Sequence, residues 1–247
     1  MSDASASDTA TPVPPTKQAA RWEDFLDIFY APASVFARRI NSGWTIPLLV
    51  VVILSALIFV ANTGVMQPLM DAEFTRGMAA AMKKNPSFTP EMAEKARGIT
   101  EKFAILIVIL GLPVSIFCVG VFLWVIGKLF DARQTLSAAL MVAAYSYMPR
   151  VVEGVLAGVQ GLLMDPSTLT GRLKLSLGVG RFLDPDGSPV MLAALGRIDV
   201  FTIWITILLG IGLSVTGRIS RQKAFLAAAL VWVLGGAFMV LSAMRNS

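Results

Sequence analysis

Apolar residues along this chain fall into five long runs that are separated by polar connections. Each run approaches the roughly 20 residues that an α-helix needs to cross about 30 Å of hydrocarbon at about 1.5 Å per residue. The pattern therefore predicts an all-α fold in which about five transmembrane helices form a bundle. The predicted spans cover residues 44–65, 103–127, 136–164, 199–216 and 224–244.

The chain ahead of the first run divides into two parts. Residues 1–21 are small, polar and proline-bearing, with little apolar surface to bury, so we predict a disordered tail. This tail lacks the basic start and apolar core of a secretory signal. Residues 22–247 are then expected to form a single helical membrane domain.

Residues 22–40 repeat apolar side chains at spacings of three and four, which is typical of one face of a helix. Because Pro32 has no amide hydrogen, we expect two short helices here rather than one. Charged residues are expected away from the apolar face, at Glu23, Asp24, Asp27 and Arg38. The apolar face itself consists of Trp22, Phe25, Leu26, Phe29, Ala33, Phe36 and Ile40.

This amphipathic segment ends in Arg38 and Arg39, just before the first span. A helix of that kind can lie flat among the lipid headgroups. It can also pack under the bundle on the cytoplasmic side. The residues themselves leave both alternatives open.

Two longer connections carry signals of local structure. Thr89, Pro90 and Glu91 supply an N-cap, a first-turn proline and a first-turn acid. A helix that starts near Thr89 is therefore expected to run straight into the second span. Residues 165–198 mix turn signals with a short apolar stretch, which indicates short helices and turns lying against the outer surface.

Composition agrees with a membrane protein and narrows the chemistry. The chain is 55% hydrophobic with a mean hydropathy of +0.70, and only 15% of its residues are charged, against about 25% in soluble domains. It contains no histidine and one cysteine, Cys118. A Ser-His-Asp triad and a Cys/His zinc site are therefore excluded. We expect no enzyme activity, cofactor or metal, and we expect Cys118 to be a buried apolar residue.

The net charge of +5 comes from basic residues that cluster in short connections rather than along one stripe. Connections near residues 128–135 and 217–223 carry several of them. This distribution is a topology signal and does not indicate a nucleic-acid partner. We predict a multi-pass protein of the inner membrane, with its N-terminus inside and its C-terminus outside.

The third run contains polar residues that share one helical face. Small residues run beside them and would let a neighbouring helix approach closely. Such a face is expected to meet protein or a water-filled cleft rather than acyl chains. The polar face comprises Ser146, Arg150, Glu153, Ala157 and Gln160, and the small residues are Gly154, Gly158 and Gly161.

Pro149 adds a second feature to the same run. Because proline crowds the carbonyl four residues back, we expect a kink that frees the carbonyl of Tyr145, with Arg150 as one candidate donor to it. Arg150 and Glu153 can also pair, which offsets part of the cost of about 2.5 to 3.5 kcal/mol for a charge at mid-span. Two interpretations stay open: the pair locks the helix into the bundle, or it belongs to a binding or conduction element.

Several other positions are expected to have structural roles. Asn62 is expected to be an interfacial cap, and Asp199 an acid at the start of a helix. Trp44, Trp204 and Trp232 are expected to serve as anchors or packing residues.

The chain resembles the bacterial branch of the Yip-one domain family, named for Ypt/Rab-interacting proteins, over about residues 22–244. The resemblance rests on three segments together with the count of five spans. The segments are DIFYAPASVFARRI, GKLFDARQTLSAALMVAAYSYMPRVVEGV and IDVFTIWITILLGIGLSV. Eukaryotic members of the family are non-enzymatic scaffolds that associate with small prenylated GTPases, and the resemblance implies no catalytic residues. This chain lacks their longer acidic domain and their DLYGP-type stretch, so GTPase binding is not carried over.

The function predicted from the sequence is that of a non-enzymatic scaffold or adaptor. It would associate with membrane lipids and with other membrane proteins or itself, through Tyr145, Pro149, Arg150 and Glu153 together with the amphipathic entry segment. The alternative is a small permease or channel for lipid or a small anion, with Arg150 in the path. No second half of the chain repeats the broken helix, as it does in inverted-repeat transporters.

Overall fold

The computed structural model describes residues 22–85, 87–165 and 168–246. The predicted disordered tail, residues 1–21, lies outside the described residues. The all-α prediction is confirmed, since the regular elements of the described residues are all helices. They are α1 (Asp24–Asp27), α2 (Pro32–Arg39), α3 (Thr45–Ala61), α4 (Thr63–Lys84), α5 (Pro90–Leu129), α6 (Leu136–Ser146), α7 (Met148–Leu163), α8 (Pro189–Leu195), α9 (Val200–Gly217) and α10 (Arg221–Asn246), with 3₁₀ helices at Arg172–Leu175 and Val179–Phe182.

Within the described residues, three helices are long and apolar enough to cross a membrane, namely α5, α9 and α10. The pair α3 and α4 adds a fourth candidate, bent by 84° at the break between the two helices. The predicted number of five spans is not confirmed. The reason is the expected third span, which is divided into α6 with 11 residues and α7 with 16, and neither reaches about 20.

The core of the bundle is built around α6, whose residues from Ala138 to Ser146 are all buried. On one side α6 meets α5 at Gly120, where an added Cβ would lie 2.7 Å from Leu140 Cδ2. On its other side α6 packs against α9. The absence of a side chain at Gly120 therefore allows α5 to pack directly on the most buried helix.

The N-terminal segment forms two short helices, α1 and α2, as Pro32 predicted. Several of its apolar side chains pack against the bundle, while its position relative to the headgroups stays a prediction. Phe36 is fully buried, and the rings of Phe29 and Trp204 meet edge to face with centroids 5.5 Å apart. Phe25 stacks at a tilt on Tyr145 at 5.4 Å, while Trp22 is 64% exposed.

Asp24 is buried, although the helical spacing places it away from the apolar face. This carboxylate is fully buried and accepts hydrogen bonds from Arg38 Nη2 at 2.7 Å and from Arg39 Nε at 2.5 Å. Helical spacing alone placed Asp24 on the polar face of α1, but α2 folds back and covers it with two guanidinium groups. The ion pairs thus join the start of α1 to the end of α2.

Helix α5 begins as the sequence predicted and continues for 40 residues, about 60 Å at about 1.5 Å per residue. Thr89 caps it by accepting a hydrogen bond from the amide of Met92 at 3.3 Å. Its first turns extend beyond the apolar run and pair with α4, where Arg97 Nη2 lies 2.7 Å from Asp71 Oδ1.

The two short basic connections meet at one end of the bundle. The amide of Arg133 donates to the carbonyl of Gly217 at 2.9 Å, and Thr216 Oγ1 donates to the buried Gln134 Oε1 at 2.8 Å. Lys223 Nζ lies 2.8 Å from Asp131 Oδ2. This shared position agrees with both connections lying on one side of the membrane, while the inside orientation stays a prediction.

The described part of the connection between α7 and α9 folds into the short helices and turns that the sequence indicated. It is joined to α4 at Arg172, whose amide and Nε both donate to Glu73, at 2.8 and 2.7 Å. It also brings Arg197 to α10 and Asp199 to the start of α9.

We predict that Asp24→Ala destabilises the N-terminal hairpin much more than Asp27→Ala does. Removing Asp24 leaves two arginines without their buried partner, at a cost of about 3 kcal/mol in the free energy of unfolding. Asp27 shares Arg38, but its side chain is 18% exposed where that of Asp24 is fully buried, so its loss costs less than the loss of Asp24. Denaturant unfolding in detergent micelles, followed by tryptophan fluorescence, measures both; equal effects contradict the prediction.

Candidate functional site

The site begins at the break between α6 and α7. Pro149 is in the first turn of α7, where its missing amide hydrogen leaves no intrahelical bond unmade. The expected kink within one continuous helix is therefore wrong: the chain ends one helix at Ser146 and starts another at Met148. The Arg150 guanidinium does not act as the expected donor to the Tyr145 carbonyl but bonds the side chains of Glu153 and Thr202.

A chain of hydrogen bonds runs from α7 to the start of α9. Arg150 Nη1 donates to Glu153 Oε2 at 2.5 Å, and Arg150 Nη2 donates to Thr202 Oγ1 at 3.0 Å. Thr202 Oγ1 donates in turn to Asp199 Oδ2 at 2.7 Å. The sequence indicated the Arg150–Glu153 pair, but Thr202 was not anticipated, because it is 52 residues away along the chain.

Asp199 has the structural role that the sequence indicated. Its Oδ1 accepts hydrogen bonds from the amides of Phe201 and Thr202, at 2.8 and 2.9 Å, so that it caps the first turn of α9. These amides are groups that a helix start leaves without an intrahelical partner. The cap also fixes the position of Thr202, so that its hydroxyl lies within hydrogen-bond distance of Arg150.

The remaining members of the predicted polar face do not all meet. Ser146 is fully buried, and its hydroxyl has no hydrogen-bond partner among the described residues. Gln160 Nε2 donates to the carbonyl of Leu175 at 3.3 Å, in the connection after α7. Arg150, Glu153 and Ala157 face the same open space.

The glycines of α7 lie against α3 and the start of α4, where Gly161 meets Val65. An added Cβ at Gly154 would come 2.9 Å from Ile58 Cγ2, and one at Gly158 would collide with Asn62. Asn62 is at the boundary of α3 and α4, but its side chain caps neither helix. Its Nδ2 donates to the carbonyl of Gly154 at 2.8 Å, so the expected cap is a contact between helices instead.

The open space beside α7 is a cleft of about 1060 Å³ bounded by α5, α7, α9 and α10. Residues Arg172–Ser176 border one part of it, as do Met66 and Glu73 of α4. Its polar side chains include Tyr147, Arg150, Glu153, Arg197, Thr202 and Thr206. Its apolar side chains include Val114, Val119, Phe122, Leu209, Leu234 and Phe238. The cleft is thus largely apolar, with charged groups gathered near the break.

Cys118 also borders this cleft and is exposed. The expectation of a buried cysteine was wrong, because the apolar run that contains it forms one wall of an open space. The sequence around Cys118 does not show which side of α5 lacks a neighbouring helix.

Arg197 and Trp232 form a second polar feature of the cleft, which local sequence reasoning missed. The guanidinium carbon of Arg197 lies 5.7 Å from the centroid of the Trp232 ring. Arg197 Nη1 would lie 3.0 Å from a Cβ at Gly235, so glycine at this position makes room for it. The indole Nε1 of Trp232 is buried and has no hydrogen-bond partner among the described residues. In the sequence, this contact could have been predicted only from the adjacent glycines Gly235 and Gly236, which follow Trp232 by one helical turn.

A family model described as the Yip1 domain matches residues 26–242, almost the whole described chain. The chain belongs to the Yip1 domain family. This confirms the resemblance found in the sequence. The match takes in most of the N-terminal hairpin, the α6–α7 break and every wall of the cleft, so the site lies within the Yip1 domain.

One curated relative of this Yip1-domain chain is "Membrane protein YknW" of Bacillus subtilis (strain 168). The two are 24% identical over 185 residues, which cover 72% of this chain and 71% of the relative. No solved structure matches the chain. The family, the membrane-protein relative and the apolar helices together identify a membrane protein.

We predict that Gly158→Ala disrupts the contact between α7 and α3, since the added methyl group collides with Asn62. The expected cost in the free energy of unfolding is about 1 to 3 kcal/mol, as for other overpacked positions. Gly111→Ala on α5 is the matched control, because nothing lies within 4 Å of its added Cβ and alanine favours the helix. Thermal unfolding of both variants in detergent tests this, and an unchanged Gly158→Ala melting temperature contradicts it.

Proposed function

We propose that this Yip1-domain protein binds an amphiphilic ligand, a lipid or a lipid-like molecule, in the cleft between α5, α7, α9 and α10. The observation that carries the proposal is an open volume of about 1060 Å³ with charged groups beside apolar walls. Ligand sites are commonly clefts of about 300 to 1000 Å³ with mainly apolar linings and a few polar groups that orient the ligand. Binding of this kind is also the first step of the permease role considered from the sequence.

The exposure of the Arg150–Glu153 pair supports a binding role over a purely structural one. Their side chains are 35% and 28% exposed, and both border the cleft. A pair whose only task was to lock α7 into the bundle would be expected to be more fully buried, where its Coulomb attraction is less weakened by water. Here one edge of the pair stays available to a ligand.

The proposal includes no chemical reaction on the ligand. The chain has no histidine, and the two carboxylates nearest the break are already engaged. Glu153 accepts from Arg150, while Asp199 accepts from Thr202 and from two amides of α9. Neither is placed as a free general base with a nucleophile beside it.

A scaffold or adaptor role is the second candidate. Its predicted contact residues give it little support, since Tyr145 and Pro149 are buried and Gly154 and Gly158 lie against α3. What favours it is the first part of α5, which extends beyond the apolar run and exposes Met92 and Ile99, by 51% and 53%. Such apolar side chains on a largely polar surface suit contact with another protein.

We predict that filling the cleft reduces ligand binding. The double variant Val114→Phe/Ala157→Phe adds bulk to two walls, and it should lower the retention of pyrene-labelled phospholipid about tenfold, a loss of about 1.4 kcal/mol. Energy transfer from the protein's tryptophans to pyrene, measured in detergent micelles, reports the binding.

The matched control is Val125→Phe/Val159→Phe, which also introduces two phenyl rings, at positions of α5 and α7 that are 46% and 48% exposed outside the cleft. It should bind as the wild type does. Equal retention by the cleft variant and the wild type would rule out the cleft as the binding site.

The scaffold candidate predicts self-association through the first part of α5. A photo-crosslinking residue in place of Ile99 should join two differently tagged copies of the chain in membranes, whereas the same residue in place of Val125 should not. If Ile99 gives no adduct containing both tags, this surface does not mediate self-association.

A further inference from the structure

Charges within the cleft are mostly matched by partners, with one exception. Arg150 pairs with Glu153, and Arg172 pairs with Glu73. Asp199 is engaged by Thr202 and by the amides that begin α9. Arg197 is the remaining cation, and it makes no ion pair within the described residues. The guanidinium contacts an aromatic ring and a sulfur, with Nη1 3.9 Å from Met239 Sδ.

Residues of α10 form the pocket that holds the Arg197 guanidinium. Gly235 and Gly236 leave the space that the guanidinium occupies, and the ring of Trp232 supports it from one turn earlier on α10. A guanidinium carries five N–H donors and no acceptor, and its planar fork fits carboxylate and phosphate oxygens. The ring and the sulfur are weak partners, so most of these donors stay available.

Trp232 adds a donor at the same place. Its Nε1–H is buried without an acceptor among the described residues, although Trp232 borders the cleft. A buried donor left unbonded is unfavourable, and an incoming oxygen atom would satisfy it. The ring centroid is 5.7 Å from the guanidinium carbon, so both donors belong to the same part of the cleft.

We infer that Arg197 and Trp232 form an anion subsite of the cleft, and that the ligand carries a phosphate or carboxylate headgroup. The inference rests on the proposed function, because it assigns the headgroup of the same amphiphile. Apolar side chains of Val231, Leu234 and Phe238 continue from the subsite along α10 and line the cleft for the ligand's tail. A free anion would leave these walls without an occupant.

The test compares headgroups on the full chain in neutral detergent micelles. Pyrene-labelled phosphatidylcholine is displaced by unlabelled phosphatidylglycerol, phosphatidylcholine, diacylglycerol or inorganic phosphate. Wild-type protein should prefer phosphatidylglycerol over phosphatidylcholine about tenfold, and inorganic phosphate should displace little. Displacement by inorganic phosphate as effective as that by phosphatidylglycerol would overturn the assignment of a lipid headgroup.

Three variants test whether the preference for phosphatidylglycerol over phosphatidylcholine comes from the subsite. Arg197→Gln should reduce the preference for phosphatidylglycerol to near one without weakening diacylglycerol binding. Trp232→Phe keeps the ring and removes only the N–H, so it should reduce the preference a few-fold. Arg181→Gln removes one cation from the same connection outside the cleft and should leave the preference unchanged.

A preference that survives Arg197→Gln overturns the subsite. Should Arg197→Gln fail to fold, Trp232→Phe and Arg197→Lys test it instead, since Lys keeps the charge and should retain part of the preference. The two proposals fail in different ways. If the wild type takes up no pyrene-labelled lipid, the proposed function fails; if it takes up lipid without regard to headgroup charge, only the anion subsite fails.

Discussion

The break between α6 and α7 is stable inside an apolar bundle because the polar groups that it gathers are bonded to one another within the protein. A charge left unpaired among apolar helices costs several kcal/mol, so each member of the group needs a partner. Glu153, Arg150, Thr202 and Asp199 form that group, and it ends on the amides of α9. The open cleft depends on this network, because the network allows one helix to end and the next to begin within the bundle while the charges of the break stay bonded to each other.

Packing on the other side of α7 explains why the cleft opens where it does. The glycines of α7 allow α3 to come close, and Asn62 bonds the carbonyl of Gly154 across that contact. One face of α7 is therefore occupied by α3, while the face with Arg150 and Glu153 borders the space between α5 and α10. The bend between α3 and α4 then carries the chain over the rim of the cleft, where Glu73 holds Arg172.

Local patterns in the sequence were enough for the features that depend on nearby residues. The apolar runs predicted the all-α fold, and Thr89 and Asp199 predicted where two helices begin. Arg150 and Glu153 are three residues apart, which predicted their ion pair. Features that depend on distant residues could not be read in this way. Asp24 is covered by arginines 14 and 15 positions later, and Thr202 and Trp232 join the cleft only through the packing of other helices. Pro149 was misplaced for a related reason: a proline within an apolar run fits both a kink and a helix start, and the tertiary structure decides between them.

The short length of α9 has a consequence for the surroundings of the protein. With 18 residues it is about 27 Å long, somewhat less than an average hydrocarbon layer of about 30 Å. A short helix usually thins the bilayer or draws its flanking residues toward the interface. At α9 both ends are satisfied by protein, through Asp199 at one end and the contact between Thr216 and Gln134 at the other. Because both ends of the helix that carries Thr202 are held by the protein, we expect the bilayer to thin around α9 rather than the helix to shift within the bundle.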